Sequence, residues 1–158
     1  MVRLHRCFII FLAAATLLIT GCAQDATFTY KGGLPLNERD GESRTVRVML
    51  FMLKSDKAFS EASEADLWAG GGDKVKEDLV GDIIELDVQP DPKAPLQAYA
   101  LGKLESGVNF LGIFAQFTNR EDGQSRSALI RKDAINQAVV TFAGNGLTVL
   151  YKNGQPAR

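Results

Sequence analysis

The chain has 158 residues, 46% of them hydrophobic, enough for one domain with a buried core, and no shift in composition divides it. Its 18 basic and 19 acidic residues nearly cancel, so it lacks the electrostatic footprint of a nucleic-acid binder.

Arg3, His5 and Arg6 give a positive start, residues 8–18 an apolar run, and Ile19, Thr20 and Gly21 lead into Cys22. The run is too short to span a bilayer comfortably and reads as a secretion signal. An aliphatic residue and two small ones before a Cys resembles the bacterial lipobox. There the thiol receives a diacylglycerol, the chain is cut before the Cys, and the new amino terminus is acylated. A plain secreted protein, or a membrane anchor that happens to contain Cys22, is the competing reading. The expected division is a signal at 1–21, a lipidated tether at 22–26, one domain at 27–151 and a polar tail at 152–158 that frays. Ala23 after the Cys, where Asp would favour retention at the inner membrane, resembles the outer-membrane pattern. Several acyl chains on one Cys hold a protein durably where one chain would not.

Removing 1–21 leaves sixteen basic against nineteen acidic residues, no His, and no free thiol once Cys22 is alkylated. Ser/His/Asp and Cys/His nucleophile arrangements are then excluded, as are His- or thiolate-ligated zinc sites. No disulfide forms either, and stability rests on packing.

Residues 27–30, Thr-Phe-Thr-Tyr, read as a strand that Gly32, Gly33 and Pro35 end. Residues 36–44 follow as a charged loop longer than a tight hairpin needs, suited to a solvated protrusion: an ordinary surface loop, or a docking device on a rigid strand pair. Residues 46–53 are apolar except at Arg47, a central strand covered on both faces. Phe59, Ala62, Leu67 and Trp68 then recur at helical spacing. Ser60 or Ser63 is the candidate cap, Asp66 completes a box with Ser63, and Gly70, Gly71 and Gly72 form the exit. Trp68 at that spacing reads as core, with ligand stacking the alternative. The triple glycine lacks the Lys-Ser/Thr of a phosphate loop. Residues 74–81 read as a helical turn or irregular link.

Ile84, Leu86 and Val88 alternate with Glu85 and Asp87 in a half-buried strand, Pro90, Pro92 and Pro95 bar helix, and 96–101 is strand again. Residues 108–117 form a second strand hydrophobic on both faces. A polar turn at 119–124 with Asp122-Gly123 leads to a strand at 125–130, a polar connection at 132–136, and strands at 139–142 and 147–151 joined by Asn145-Gly146. The pattern is an all-β, two-sheet antiparallel sandwich of about eight strands with one short inserted helix.

An enzyme using Asp/Glu pairs or a Ser-Lys dyad is a further reading, for which Glu38, Asp40 and Glu42, and Glu77 with Asp78, supply the carboxylates. They sit in loops with no sign of a shielded pocket to shift their pKa values, and read as charged surface. The loop lacks the alternating ligand spacing of a calcium site and contains Arg39.

Taken together, these features resemble the outer-membrane lipoprotein family of the type VI secretion system, TssJ or SciN. The resemblance rests on the lipobox at Cys22, Leu36-Asn37 opening a charged loop with Gly41, the strand end Leu53-Lys54, and Phe59 with the stretch through Leu67 and Trp68. Asp78-Leu79, the run Asn109-Phe110-Leu111-Gly112, and Asn145-Gly146 complete it. The family departs from this chain where it has Arg before Tyr-Gln-Leu in the second strand, against Met49, Phe51 and Met52 here, with Arg47 fitting only after a shift. Its Trp-Arg pair is Ser125-Arg126 here. Transfer of individual contacts is therefore not implied. What the resemblance does imply is a transthyretin-like sandwich, non-catalytic, held at the periplasmic face of the outer membrane by the lipid on Cys22. No cofactor is implied beyond that diacylglycerol and acyl chain, no nucleic acid, and no small-molecule substrate. The implied partner is the periplasmic C-terminal domain of the inner-membrane protein TssM, gripped by the loop between the first two strands. Carried over, the contact set is Leu36, Asn37, Glu38, Arg39, Asp40, Gly41 and Glu42, with Asn37, Glu38, Arg39, Asp40 and Glu42 exposed and Gly41 shaping the tip. Another lipid-anchored binding or assembly module with the same sandwich is the alternative.

Overall fold

The structure, a computed structural model, describes residues 25–152 apart from positions 92, 94, 120 and 121. Cys22 and the leader lie outside it, as do Arg120 and Glu121 of the expected polar turn. The described strands form two four-stranded sheets. In the first, the order is β4 (Gln97–Gly102), β1 (Ala26–Leu36), β7 (Ala138–Gly144), β8 (Gly146–Tyr151). In the second it is β3 (Ile84–Val88), β2 (Val46–Leu53), β5 (Phe110–Gln116), β6 (Ser127–Arg131). Neighbours run antiparallel except β1 and β7, which are parallel.

Side-chain alternation divides each strand between two environments. Phe28, Tyr30, Val140 and Phe142 from the first sheet meet Val48, Leu50, Leu111 and Ile113 from the second in the main core. The opposite face of the second sheet carries Met49, Phe51, Leu53 and Phe114, which pack with Phe59, Leu67 and Val75. Those three come from α1 (Lys57–Glu61), α2 (Glu64–Trp68) and α3 (Gly72–Asp78). Both faces of β2 and β5 are therefore covered, which is why both strands are apolar but for Arg47 and Gln116. At Gly112, an added Cβ would lie 2.7 Å from the Phe59 ring, so only glycine lets that ring settle on β5.

The expected single helix is three short ones. Ala62 is extended between α1 and α2, and α2 restarts at Ser63, whose hydroxyl accepts from the Asp66 amide at 3.1 Å while the Asp66 carboxylate accepts from the Ser63 amide at 3.2 Å. The glycines expected as a flexible exit instead open α3, with left-handed Gly71 at its N-cap. Trp68 is not core: it is 48% exposed, and its ring only edges onto buried Phe114 at 6.3 Å. A five-residue helix buries one position here, Leu67, and the next residue is carried about 100° around to the rim.

Nor does β1 end at Gly32. It runs to Leu36 because its register with β7 shifts between Gly32 and Leu36, and Gly33, Leu34 and Pro35 sit in that bulge, where a proline without an N–H breaks no ladder bond. The last hairpin forms as expected, though its central pair is Gly144-Asn145, Ala143 facing Gly146, with the positive φ of 59° at Gly144. A 3-10 helix, Lys132–Gln137, fills the expected polar connection. The Lys152 amide donates to the Gln137 carbonyl at 2.8 Å, and the rest of the polar tail expected to fray lies outside the described residues. Among the described residues no helix is long and apolar enough to cross a membrane.

The sandwich has two distinct ends. At the first, where β1 begins, Asn136 Oδ1 accepts from the Thr27 amide at 2.7 Å and Asn136 Nδ2 donates to the Asp25 carbonyl at 3.2 Å. At the other, β1 ends beside Gly144 and the loop to β2 begins. Eleven strand residues separate them, roughly 30 Å at the usual rise.

Candidate functional site

The loop at the far end is a miniature hairpin. Arg39 and Glu42 exchange both backbone hydrogen bonds, at 3.0 and 3.1 Å, around Asp40 (φ 58°) and Gly41 (φ 81°). Two consecutive left-handed residues at the centre make the primed turn that suits a two-residue hairpin, and Asp-Gly is a sequence that adopts it readily. Below it, the Arg44 amide donates to the Leu36 carbonyl at 2.8 Å and the Leu36 amide to Ser43 Oγ at 3.2 Å.

Asn37 fixes this hairpin to the body, against the expectation that it belongs to the exposed part. It is 5% exposed, with φ 47° in the left-handed region that Asn tolerates. Its amide donates to the Gly144 carbonyl at 2.7 Å, its Nδ2 to the Thr45 carbonyl at 2.9 Å, and its Oδ1 accepts from the Thr118 amide at 2.7 Å. Leu36 is also withdrawn from solvent, packed in the main core. A buried polar side chain must satisfy its donors and acceptors, and Asn37 does so by joining three loops at one end of the sandwich.

Residues the sequence did not nominate extend that brace. Asn119 Nδ2 donates to the Glu38 carbonyl at 2.8 Å, and Gln124 Oε1 accepts from the Asn145 amide at 2.9 Å. Both lie in stretches legible as turns, but nothing in the sequence says that those turns neighbour residues 36–44.

What remains exposed is Glu38, Arg39, Asp40, Gly41 and Glu42. Arg39 and Arg44 approach the Asp40 carboxylate at 3.6 and 3.8 Å, from side chains about half exposed. Such solvent-facing pairs contribute at most about 1 kcal/mol. Order in the tip therefore comes from backbone turn geometry and the Asn37 brace, not from charge. A fixed, mixed-charge knob is suited to a protein contact, since its ordering entropy is met before binding. Among the described residues no three Asp, Glu, His or Cys side chains converge as metal ligands.

A family model described as type VI secretion lipoprotein (VasD, EvfM, TssJ) matches residues 24–145. Among solved structures, the T6SS lipoprotein TssJ1 from Pseudomonas aeruginosa is similar, with 18% identity, 86% of this chain and 99% of that one covered, and a TM-score of 0.67. A chain in a structure titled "Type VI membrane complex" shares 19% identity over 80% of this chain and 98% of its own, with a TM-score of 0.69. A chain in the structure "T6SS protein TssM C-terminal domain (869-1107) from EAEC" shares 18% over 80% and 97%, with a TM-score of 0.65. At such identities the likeness is one of fold. A search of curated proteins finds no match.

Proposed function

The chain belongs to the type VI secretion lipoprotein family, and on that premise we propose that it is a non-catalytic assembly protein of the secretion envelope complex. Acylated at Cys22, it is held at the periplasmic face of the outer membrane. From there it grips the periplasmic C-terminal domain of a TssM-type inner-membrane protein with Glu38, Arg39, Asp40, Gly41 and Glu42. Leu36 and Asn37 hold that tip in place from beneath.

The observation that carries the reading is the position of the tip. The lipidated residue stands four positions before Ala26, the start of β1, and the tip follows its other end, Leu36. A loop carried away from its own membrane, and held rigid without a ligand, is suited to meet a protein arriving from the opposite membrane. Solved relatives come from structures titled for a TssM C-terminal domain and for a type VI membrane complex, which favours a partner of that kind.

Two measurements test it. Metabolic labelling with palmitate should mark the wild-type protein and not Cys22→Ser; label on both would overturn the anchor. Co-purification with the TssM-type periplasmic domain should fail for Glu38→Ala/Arg39→Ala/Glu42→Ala, a variant that keeps Asn37 and the Asp40-Gly41 turn. Retention of that variant at wild-type yield would overturn the loop assignment.

A further inference from the structure

The end of the sandwich opposite the tip has its own charge pattern. Five segments meet there: residue 25, residues 54–57 after β2, residues 102–109 after β4, residues 131–137 around the 3-10 helix, and Lys152 after β8. They carry six exposed cations, Lys54, Lys57, Lys103, Arg131, Lys132 and Lys152, against four carboxylates, Asp25, Asp56, Glu105 and Asp133. Including neighbouring α3 leaves eight basic to seven acidic residues. The rest of the mature chain beyond those five segments has ten basic to fifteen acidic, so this end stands out on an acidic molecule.

Its lysines are also unspent. Each described Arg has a carboxylate within 4.0 Å, Arg131 finding Asp133 at 3.0 Å, whereas among the described residues none of these five lysines does. Lys132 Nζ reaches the Glu105 carbonyl at 3.4 Å and Lys152 Nζ the Asn136 carbonyl at 2.8 Å. A carbonyl positions an ammonium without neutralising it.

The tether decides what these charges face. Asn136 holds the chain exit at Asp25, and the four residue-to-residue steps from Cys22 to Ala26 span at most about 14 Å even fully extended. An acylated Cys22 therefore keeps this end within reach of the headgroups, with the tip roughly 30 Å further out. We propose that this end is a second membrane contact, in which Lys103, Lys132 and Lys152 seat the sandwich upright on the anionic phosphates of the phospholipid bilayer that holds its lipid. The proposal rests on the anchor reading. It adds orientation, directing the tip outward instead of letting the domain lie on its side.

Because Cys7 leaves with the signal and Cys22 is alkylated, an introduced Cys is the one free thiol of the mature protein. The lipidated full-length mature protein is reconstituted in vesicles of phosphatidylglycerol, phosphatidylethanolamine and a nickel-chelating lipid, with a nitroxide at Ser106→Cys or Glu38→Cys. Strong paramagnetic relaxation at position 106 and little at 38 is expected. Lys103→Glu/Lys132→Glu/Lys152→Glu should stay on the vesicles while that contrast collapses. A second arm separates the two readings: the mature Cys22→Ser chain, having no lipid, should bind phosphatidylglycerol vesicles weakly, at least tenfold better than its triple-reversal counterpart and better than phosphatidylcholine vesicles. Equal relaxation at 106 and 38, or equal binding of the two Cys22→Ser proteins, overturns the seat and leaves the anchor standing. A protein purified without acyl mass at Cys22 overturns the anchor.

Discussion

Asn37 shows how a single residue converts a loop into a fixed surface. Replacing it with Ala strips the Thr118 amide and the Thr45 carbonyl of partners at a buried site, which should lower unfolding free energy by about 2–3 kcal/mol in chemical denaturation. Its exposed neighbour Glu38 should tolerate Ala within about 0.5 kcal/mol. Similar losses at both positions would contradict the division between brace and tip. Gly41 gives a second contrast: its φ of 81° disfavours a side chain although nothing lies within 4 Å of its Cβ position, so Gly41→Val should cost about 1–2 kcal/mol through backbone strain alone. The turn itself was legible, since Asp40-Gly41 is a hairpin pair. The burial of Asn37 was not, because its partners Thr118 and Gly144 are remote in sequence, and a polar residue at the head of a charged loop gives no local sign of being inside.

At the scale of elements, the two-faced strands were the clearest signal. Val46–Leu53 and Phe110–Gln116 lack a polar period because three helices lie over what would otherwise be a wet face. The helices were harder to read, since their five to seven residues are too few for the 3.6-residue period to separate buried from rim positions, and Trp68 fell on the rim. Trp68→Ala should therefore destabilise by less than the 3–5 kcal/mol expected for a core tryptophan. Gly112→Ala, adding one methyl group against Phe59, should cost about 1–3 kcal/mol. A loss of about 3 kcal/mol or more at Trp68, or none at Gly112, would contradict this packing. The α2 cap carries a pH signature. Hydrogen bonds from Ser63 hold the Asp66 carboxyl below its ordinary value of 3.8, so the folded state binds protons less readily than the unfolded chain. The resulting stabilisation is fully present above that ordinary value and is lost as pH falls through the lower, folded one. Asp66→Asn should remove this part of the acid dependence, and an unchanged acid limb would speak against the cap.

For the molecule as a whole, the parallel pairing of β1 with β7 sets the geometry on which the function rests. It brings the end of β1 beside the last hairpin and lets Asn37 reach Gly144. Alternating hydrophobicity gave strand positions and the sandwich class but carries no information on strand order, so the clustering of residues 36–44, 117–124 and 143–146 at one end became visible only in three dimensions. That clustering sets the tip at the opposite end of the sandwich from the start of β1, and the central claim of the proposed function is that this tip grips a TssM-type domain. Calorimetric titration of the mature domain with that periplasmic domain is the most direct test, comparing wild type with Glu38→Lys/Glu42→Lys. Affinity at least tenfold weaker, with an unchanged unfolding midpoint, is the expected result; wild-type affinity in the charge-reversed protein would contradict the account.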